Sequence, residues 1–109
     1  MEEFTLRDIH TSYGISRRAI QGYEKADLVS ATGKNEYGHL LYDDAALARI
    51  QKIKLYQDMG FTIKEIQDII DGPGELLKDA LINRKRKLQE NIQHNENMIS
   101  LIQDILKTL

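Results

Sequence analysis

Apolar side chains recur at helical spacing through most of the chain, and glycines interrupt the rhythm. Leu6 and Ile9 point inward from a short helix that begins within Phe4–His10, with Thr5 as N-cap and Gly14 closing it in the left-handed conformation. Ala19, Ile20 and Tyr23, at i, i+1 and i+4, mark the inner stripe of a second helix over about residues 17–25. Ser16 precedes that helix, and its hydroxyl is an acceptor for an orphan N–H at the helix start. The two helices and the tight turn at Gly14 predict a helix-turn-helix. Leu28–Ala31 and Leu40–Tyr42 flank Gly33-Lys-Asn-Glu-Tyr-Gly38 and are expected to pair as short strands around a hairpin tip. Asp43 or Asp44 then caps a third helix, which carries Leu47, Ile50, Ile53 and Tyr56 on one side until Gly60. Thr62-Ile-Lys-Glu65 spells a capping box, and Phe61 and Ile66 stand at hydrophobic-staple positions. The fourth helix, with Ile63, Ile66, Ile69 and Ile70, ends at Asp71-Gly-Pro-Gly74, the clearest boundary in the chain.

From Glu75 the period changes. Leu81, Leu88, Asn95, Ile102 and Leu109 recur every seven residues, and Lys85, Ile92, Ile99 and Leu106 form a second series between them. Alternating steps of three and four are the seam of a coiled coil, here a rod of ~50 Å. A rod of that length calls for a partner helix, so Leu81, Leu88, Ile92, Asn95, Ile99, Ile102, Leu106 and Leu109 are expected to be dimer contacts. Asn95 is either a register device or a flaw; the register device is favoured, because an unpaired buried amide costs stability. Met98, Leu101 and Ile105 add a second apolar flank, so the last turns are expected to touch more than one neighbour. The organisation predicted is a winged helix-turn-helix over residues 1–71, a Gly-Pro-Gly hinge at 72–74 and a coiled-coil dimerisation helix over 75–109. The fold class is all-α, mainly helical with a small β-hairpin wing.

Composition narrows the chemistry. The 109 residues allow one small domain plus at most an extension. There are 15 basic and 17 acidic side chains, and residues 1–71 carry 9 and 12 of them, so any contact with nucleic acid must come from a local patch. The absence of cysteine removes thiolate metal sites, disulfides and cysteine nucleophiles, and His10, His39 and His94 have no ligand spacing. No metal site and no cofactor are expected. No apolar run approaches the ~18 residues of a membrane span, and no signal segment opens the chain, so a soluble cytoplasmic protein with no membrane partner is expected. Asp43 and Asp44 are adjacent and do not converge on one point, and no nucleophile, base or phosphate-cradling glycine loop is present. The chain is not expected to be an enzyme.

The candidate contacts therefore lie on the helix-turn-helix and the hairpin. Arg17 and Arg18, with Gln21 and Gly22, face away from the inner stripe, and two guanidinium groups beside free N–H groups at a helix start suit phosphates and base edges. Adjacent arginines are often idle surface charges; their place at the start of the second helix argues otherwise. Gly22 inside that helix costs ~1 kcal/mol relative to alanine, which suggests a close approach, to DNA or to another helix. Tyr23 is weighted towards the core, though its hydroxyl is kept as a possible phosphate contact. Tyr37, an aromatic at a loop tip, has no core to fill. Ser16, Arg17, Arg18, Gln21, Tyr23, Lys34, Tyr37 and His39 make up the expected DNA-contact set. Arg84-Lys-Arg-Lys87 falls on the rod and reads as a solvated flank.

Taken in order, Gly14-Ile-Ser-Arg-Arg-Ala-Ile-Gln-Gly-Tyr-Glu24, Leu28, Gly38-His-Leu-Leu-Tyr42 and Met59-Gly-Phe-Thr-Ile-Lys-Glu-Ile66 resemble the mercury-resistance-regulator (MerR) family of bacterial transcription factors. The likeness covers about residues 4–70, and the rod after them agrees in kind. It implies homodimers joined by an antiparallel two-helix coiled coil, each subunit placing its second helix in a major groove and its wing on the adjacent backbone. It also implies a pseudo-palindromic promoter site, distorted so that RNA polymerase can open it. Ser16 and Arg18 stand where the family has its serine and helix-2 arginine, and Tyr23 matches the second of its paired tyrosines. Ala19, Gln21, Gly22, His39 and Leu40 depart from the family pattern, and Leu40 replaces the wing's arginine. Two absent phosphate contacts per subunit are four per dimer, a salt slope shallower by ~3.6 units at ~0.9 per contact, with Lys34, Arg17 and Tyr37 as compensation.

Two functions follow. One is a dimeric, sequence-specific DNA-binding transcriptional regulator. The alternative is a relative impaired in DNA binding that serves as a protein-interaction or heterodimerisation module, favoured by the wing departures and the acidic balance. The effector is unknown. Metal-sensing members resembling this chain use cysteines in or after the rod, and drug-sensing members append a ligand domain after it. Regulation by abundance or a partner, and a C-terminal domain beyond Leu109, both stay open.

Overall fold

The computed structural model describes residues 2–109, which fall into two compact units divided between Asp71 and Gly72. The first unit holds β1 (Glu3–Phe4), α1 (Leu6–Tyr13), α2 (Arg17–Lys25), β2 (Gly33–Lys34), β3 (Leu40–Asp43), α3 (Asp44–Asp58) and α4 (Ile63–Ile69); the second is α5 (Gly74–Leu106).

Local chemistry accounts for the helix starts. Thr5, Ser16, Asp43 and Thr62 are the N-caps, each side chain accepting the N–H three residues on. Thr62 and Glu65 close the expected capping box at 3.2 and 3.0 Å. A second box, unforeseen in the sequence, joins Thr5 and Asp8 at 2.9 and 3.1 Å. Gly14 ends α1 at φ 70, the left-handed conformation that a Cβ disfavours. Ile9, Ile20, Tyr23, Tyr42, Ile50, Ile53 and Ile66 are fully buried and form the centre of the unit, with Tyr56 packed edge-on to Phe61. Among the described residues no buried side-chain polar atom lacks a partner.

The strands depart from expectation. Helix α1 starts at Leu6, because Phe4 lies in β1, which pairs antiparallel with β3 through Glu3–Asp43 and Phe4–Tyr42. The hairpin partner of β3 is Gly33–Lys34 and not Leu28–Ala31; the sheet order is β1-β3-β2. Leu28 and Val29 instead bury their side chains. Asp27, at φ 58, turns the chain sharply out of α2, and the Leu28 carbonyl accepts from Arg49 Nε, so that segment is held by a side chain where a ladder was expected.

In the second unit, α5 begins one residue inside the proposed hinge. Pro73 is its N-cap at φ −58, with its carbonyl accepting from Leu76 and Leu77 N–H. No residue of α5 is buried. Ile92, Ile99, Ile102 and Leu106 each keep more than half of their surface exposed, and Leu81 is half-buried. Leu109 lies beyond the regular helix. The α-helix stops at Leu106, the Thr108 hydroxyl donates to the Ile105 carbonyl, and Leu109 N–H bonds back only three residues to Leu106, so the terminus no longer follows the 3.6-residue period.

Candidate nucleic-acid interface

Helix α2 is fixed from behind and bare in front. On its inner face the Tyr23 hydroxyl donates to Gln57 Oε1 of α3 at 2.6 Å, and Glu24 Oε1 accepts from the Tyr42 hydroxyl of β3, also at 2.6 Å. Burial pushes both phenols up, and the bond to Glu24 holds Tyr42 further above the ordinary phenol range. Both stay neutral donors at physiological pH. At the far end, Gln67 Nε2 of α4 donates to the Ala26 carbonyl at 2.8 Å. Arg49 reaches the Leu28 carbonyl and also grips Asp71 with both terminal nitrogens, at 2.8 and 2.6 Å. That guanidinium holds the Asp71 carboxyl below its usual range. None of these supports was foreseen, because each joins residues 18 to 41 positions apart.

The outer face carries Arg17, Arg18, Gln21, Gly22 and Lys25, all exposed. Ser16 Oγ accepts from Ala19 N–H at 3.0 Å, so the hydroxyl caps the helix that presents the arginines. A shallow depression runs along this face between Arg18, Gln21, Gly22, Glu24 and Lys25. A Cβ added at Gly22 would meet nothing within 4 Å, so the close approach that a helical glycine suggests is not to another part of this unit.

The wing is shaped by Asn35. Its Oδ1 accepts from Tyr37 N–H at 2.9 Å and from His39 N–H at 3.0 Å, while its backbone N–H donates to the His39 carbonyl. Gly38 completes the reversal at φ 80. Tyr37 is left 77% exposed with its ring 6.4 Å from that of His39.

Of the expected contacts, Ser16, Arg17, Arg18 and Gln21 share the start and outer face of α2, and His39 joins Arg17 in one depression at the wing base. Lys34 and Tyr37 stand exposed on the hairpin. Tyr23 is misplaced in that set. It is 1% exposed and its hydroxyl is spent on Gln57, so it supports the contact helix from within and offers no surface to a phosphate. Among the described residues no group of three or more His, Asp or Glu is placed to hold a metal ion, and no helix is long and apolar enough to cross a membrane.

Residues 4–72 match the family model described as MerR HTH family regulatory protein. The chain is similar to the HTH-type transcriptional activator mta of Bacillus subtilis, 29% identical over 100 residues, which are 92% of this chain and 39% of that protein. The chain thus spans well under half the length of that relative. Its fold resembles the crystal structure of a MerR-family transcriptional regulator from Bacillus cereus (TM-score 0.82, 23% identity, 98% of this chain and 82% of that one). It also resembles HiNmlR, a MerR family regulator lacking the sensor domain and crystallised on promoter DNA (TM-score 0.70, 21% identity, 96% and 88%).

Proposed function

The chain belongs to the MerR HTH family of regulatory proteins, and we propose that it is a transcriptional regulator that binds promoter DNA as a homodimer in the bacterial cytoplasm. Residues 1–71 are the DNA-binding unit, 72–74 the link and 75–109 the dimerisation helix. The observation that carries this reading is the outer face of α2. It presents Arg17 and Arg18 from a capped helix start on a scaffold that four side-chain bonds hold still. Such a face suits a major groove, where a guanidinium reads guanine edges and phosphates alike. Lys34, Tyr37 and His39 then lie on the neighbouring backbone. Two copies joined along the bare α5 seam read the two halves of a pseudo-palindrome, and the resulting distortion of the promoter controls access by RNA polymerase. The DNA-bound relative HiNmlR supports this reading.

A second reading rests on charge. Residues 1–71 hold 9 basic against 12 acidic side chains, and Leu40 puts no cation at its position on the wing, which favours a protein-interaction or heterodimerisation module. Fluorescence anisotropy with the duplex upstream of the protein's own gene separates the two. The regulator binds, and Arg18→Ala weakens binding by roughly tenfold or more, since a bidentate base contact is worth about 1–3 kcal/mol. Equal affinity of Arg18→Ala and the parent would move recognition off α2, and no binding by the parent would favour the interaction module.

A further inference from the structure

A cationic recess lies where α1, α2 and β3 meet. Two adjoining depressions share Leu6, Arg7 and Arg17. One, of about 420 Å³, extends to His39 and Leu40 at the wing base; the other, of about 330 Å³, extends to His10 and Arg18. No carboxylate lines either. The depression beside the segment after α2 is built differently, with the carboxylates of Asp27 and Asp43 in its lining along with Arg49. The acidic side chain next to Arg7 in sequence, Asp8, is occupied by the Thr5 N–H at 2.9 Å. Among the described residues the side chains of Arg7, Arg17 and Arg18 make no hydrogen bond or ion pair. In a chain with more acidic than basic residues, three unanswered guanidiniums around a carboxylate-free recess are a concentration of unspent donors. Leu6 and Leu40, both half-buried, give it an apolar floor, and low local polarity strengthens any charged hydrogen bond made above it.

We propose that Arg7 is a DNA-phosphate contact: together with Arg17 it seats a backbone phosphate of the bound duplex in the recess between α1 and the wing base. This rests on the DNA-binding reading of α2 but concerns a different helix. A planar guanidinium grips a phosphate through two parallel N–H bonds, and pairs of them suit a tetrahedral anion better than ammonium groups do. The seat puts positive charge beside the wing although Leu40 supplies none.

The test is a salt titration of the full chain on the duplex upstream of its gene, followed by anisotropy between about 50 and 200 mM salt. Arg7→Gln is compared with Lys52→Gln, which removes the same charge from the exposed side of α3, outside the recess. The slope of log affinity against log salt is expected to flatten by ~0.9 per protomer in Arg7→Gln and to hold in Lys52→Gln. Arg7→Lys is expected to keep the slope but lose affinity through the lost fork geometry. A parent-like slope in Arg7→Gln overturns the proposal while leaving α2 as the reading helix. Equal flattening in both glutamine variants overturns it too, since the effect is then one of total charge. If the parent binds no duplex at all, the reading of α2 falls and the seat falls with it. Millimolar inorganic phosphate is titrated in parallel, observed at the arginine Nε–H resonances. Saturation there with no change of duplex slope in Arg7→Gln identifies a free-phosphate site and overturns the DNA seat.

Discussion

Gly22 sits on the outer face of α2 with open space where its side chain would be. Glycine inside a helix costs ~1 kcal/mol relative to alanine through backbone entropy, and nothing inside the unit requires it. Gly22→Ala is therefore expected to raise the melting temperature of the free protein by several degrees while lowering its affinity for duplex DNA. A variant that is stabilised and binds as well as the parent would show that no partner approaches there. Tyr42 offers a pH test. Its phenol pKa is raised in the folded state by burial and by the bond to Glu24, so its contribution is fully present below the unfolded value of ~10 and is lost as pH rises towards the folded one. Denaturant unfolding followed between about pH 9 and 11 should show stability falling with pH. In Tyr42→Phe the fall should be shallower, with the raised phenol of Tyr23 still contributing. Parallel curves would mean that Tyr42 ionises as freely folded as unfolded.

Helices and strands differ in how locally they are specified. The four side-chain caps bond across three residues, so a short stretch of sequence contains both partners. Thr62→Ala removes the acceptor for Glu65 N–H and is expected to cost about 1 kcal/mol, within the usual range for lost caps, read as a lower denaturant midpoint at unchanged slope. An unchanged midpoint would mean that α4 is held by the burial of Ile66 and Ile69 alone. The strands are another case. β1 and β2 have two residues each, too few for an alternating pattern, and both exist only because β3 lies between them. The apolar pair Leu28–Val29 looked like strand, yet Asp27 at positive φ and the guanidinium of Arg49 turn it inward. A local pattern carries no information about an arginine 21 residues away.

For the chain as a whole, the weight falls on α5. A helix of 33 residues that buries none of them within its own chain has an apolar row with nothing to cover it, and most helical stability in proteins comes from packing such a row. With the proposed homodimer, Ile99→Asp at the middle of the seam is expected to give a monomer in sedimentation equilibrium and to lower far-UV helicity, while the core of the first unit still melts cooperatively. A parent that is already monomeric, or a variant that remains dimeric, would remove the seam from the account. Electrostatics acts at this level too. The net charge of −2 averages over the whole chain, whereas the recess that Arg7 and Arg17 share is lined by no carboxylate among the described residues.

The order of residues was enough for the helices, the caps at Ser16 and Thr62 and the hairpin tip. Each of these is written in bonds or periods only a few residues long. It also placed Arg17 and Arg18 outward, since Ile20 and Tyr23 had to turn inward. Tertiary packing decided the rest. It spent the Tyr23 hydroxyl on Gln57, made a strand of Glu3–Phe4, and drew Arg7 from α1 to the side of Arg17 and His39. Those outcomes depend on which distant surfaces meet, and side-chain spacing along one helix cannot encode the position of a donor on another.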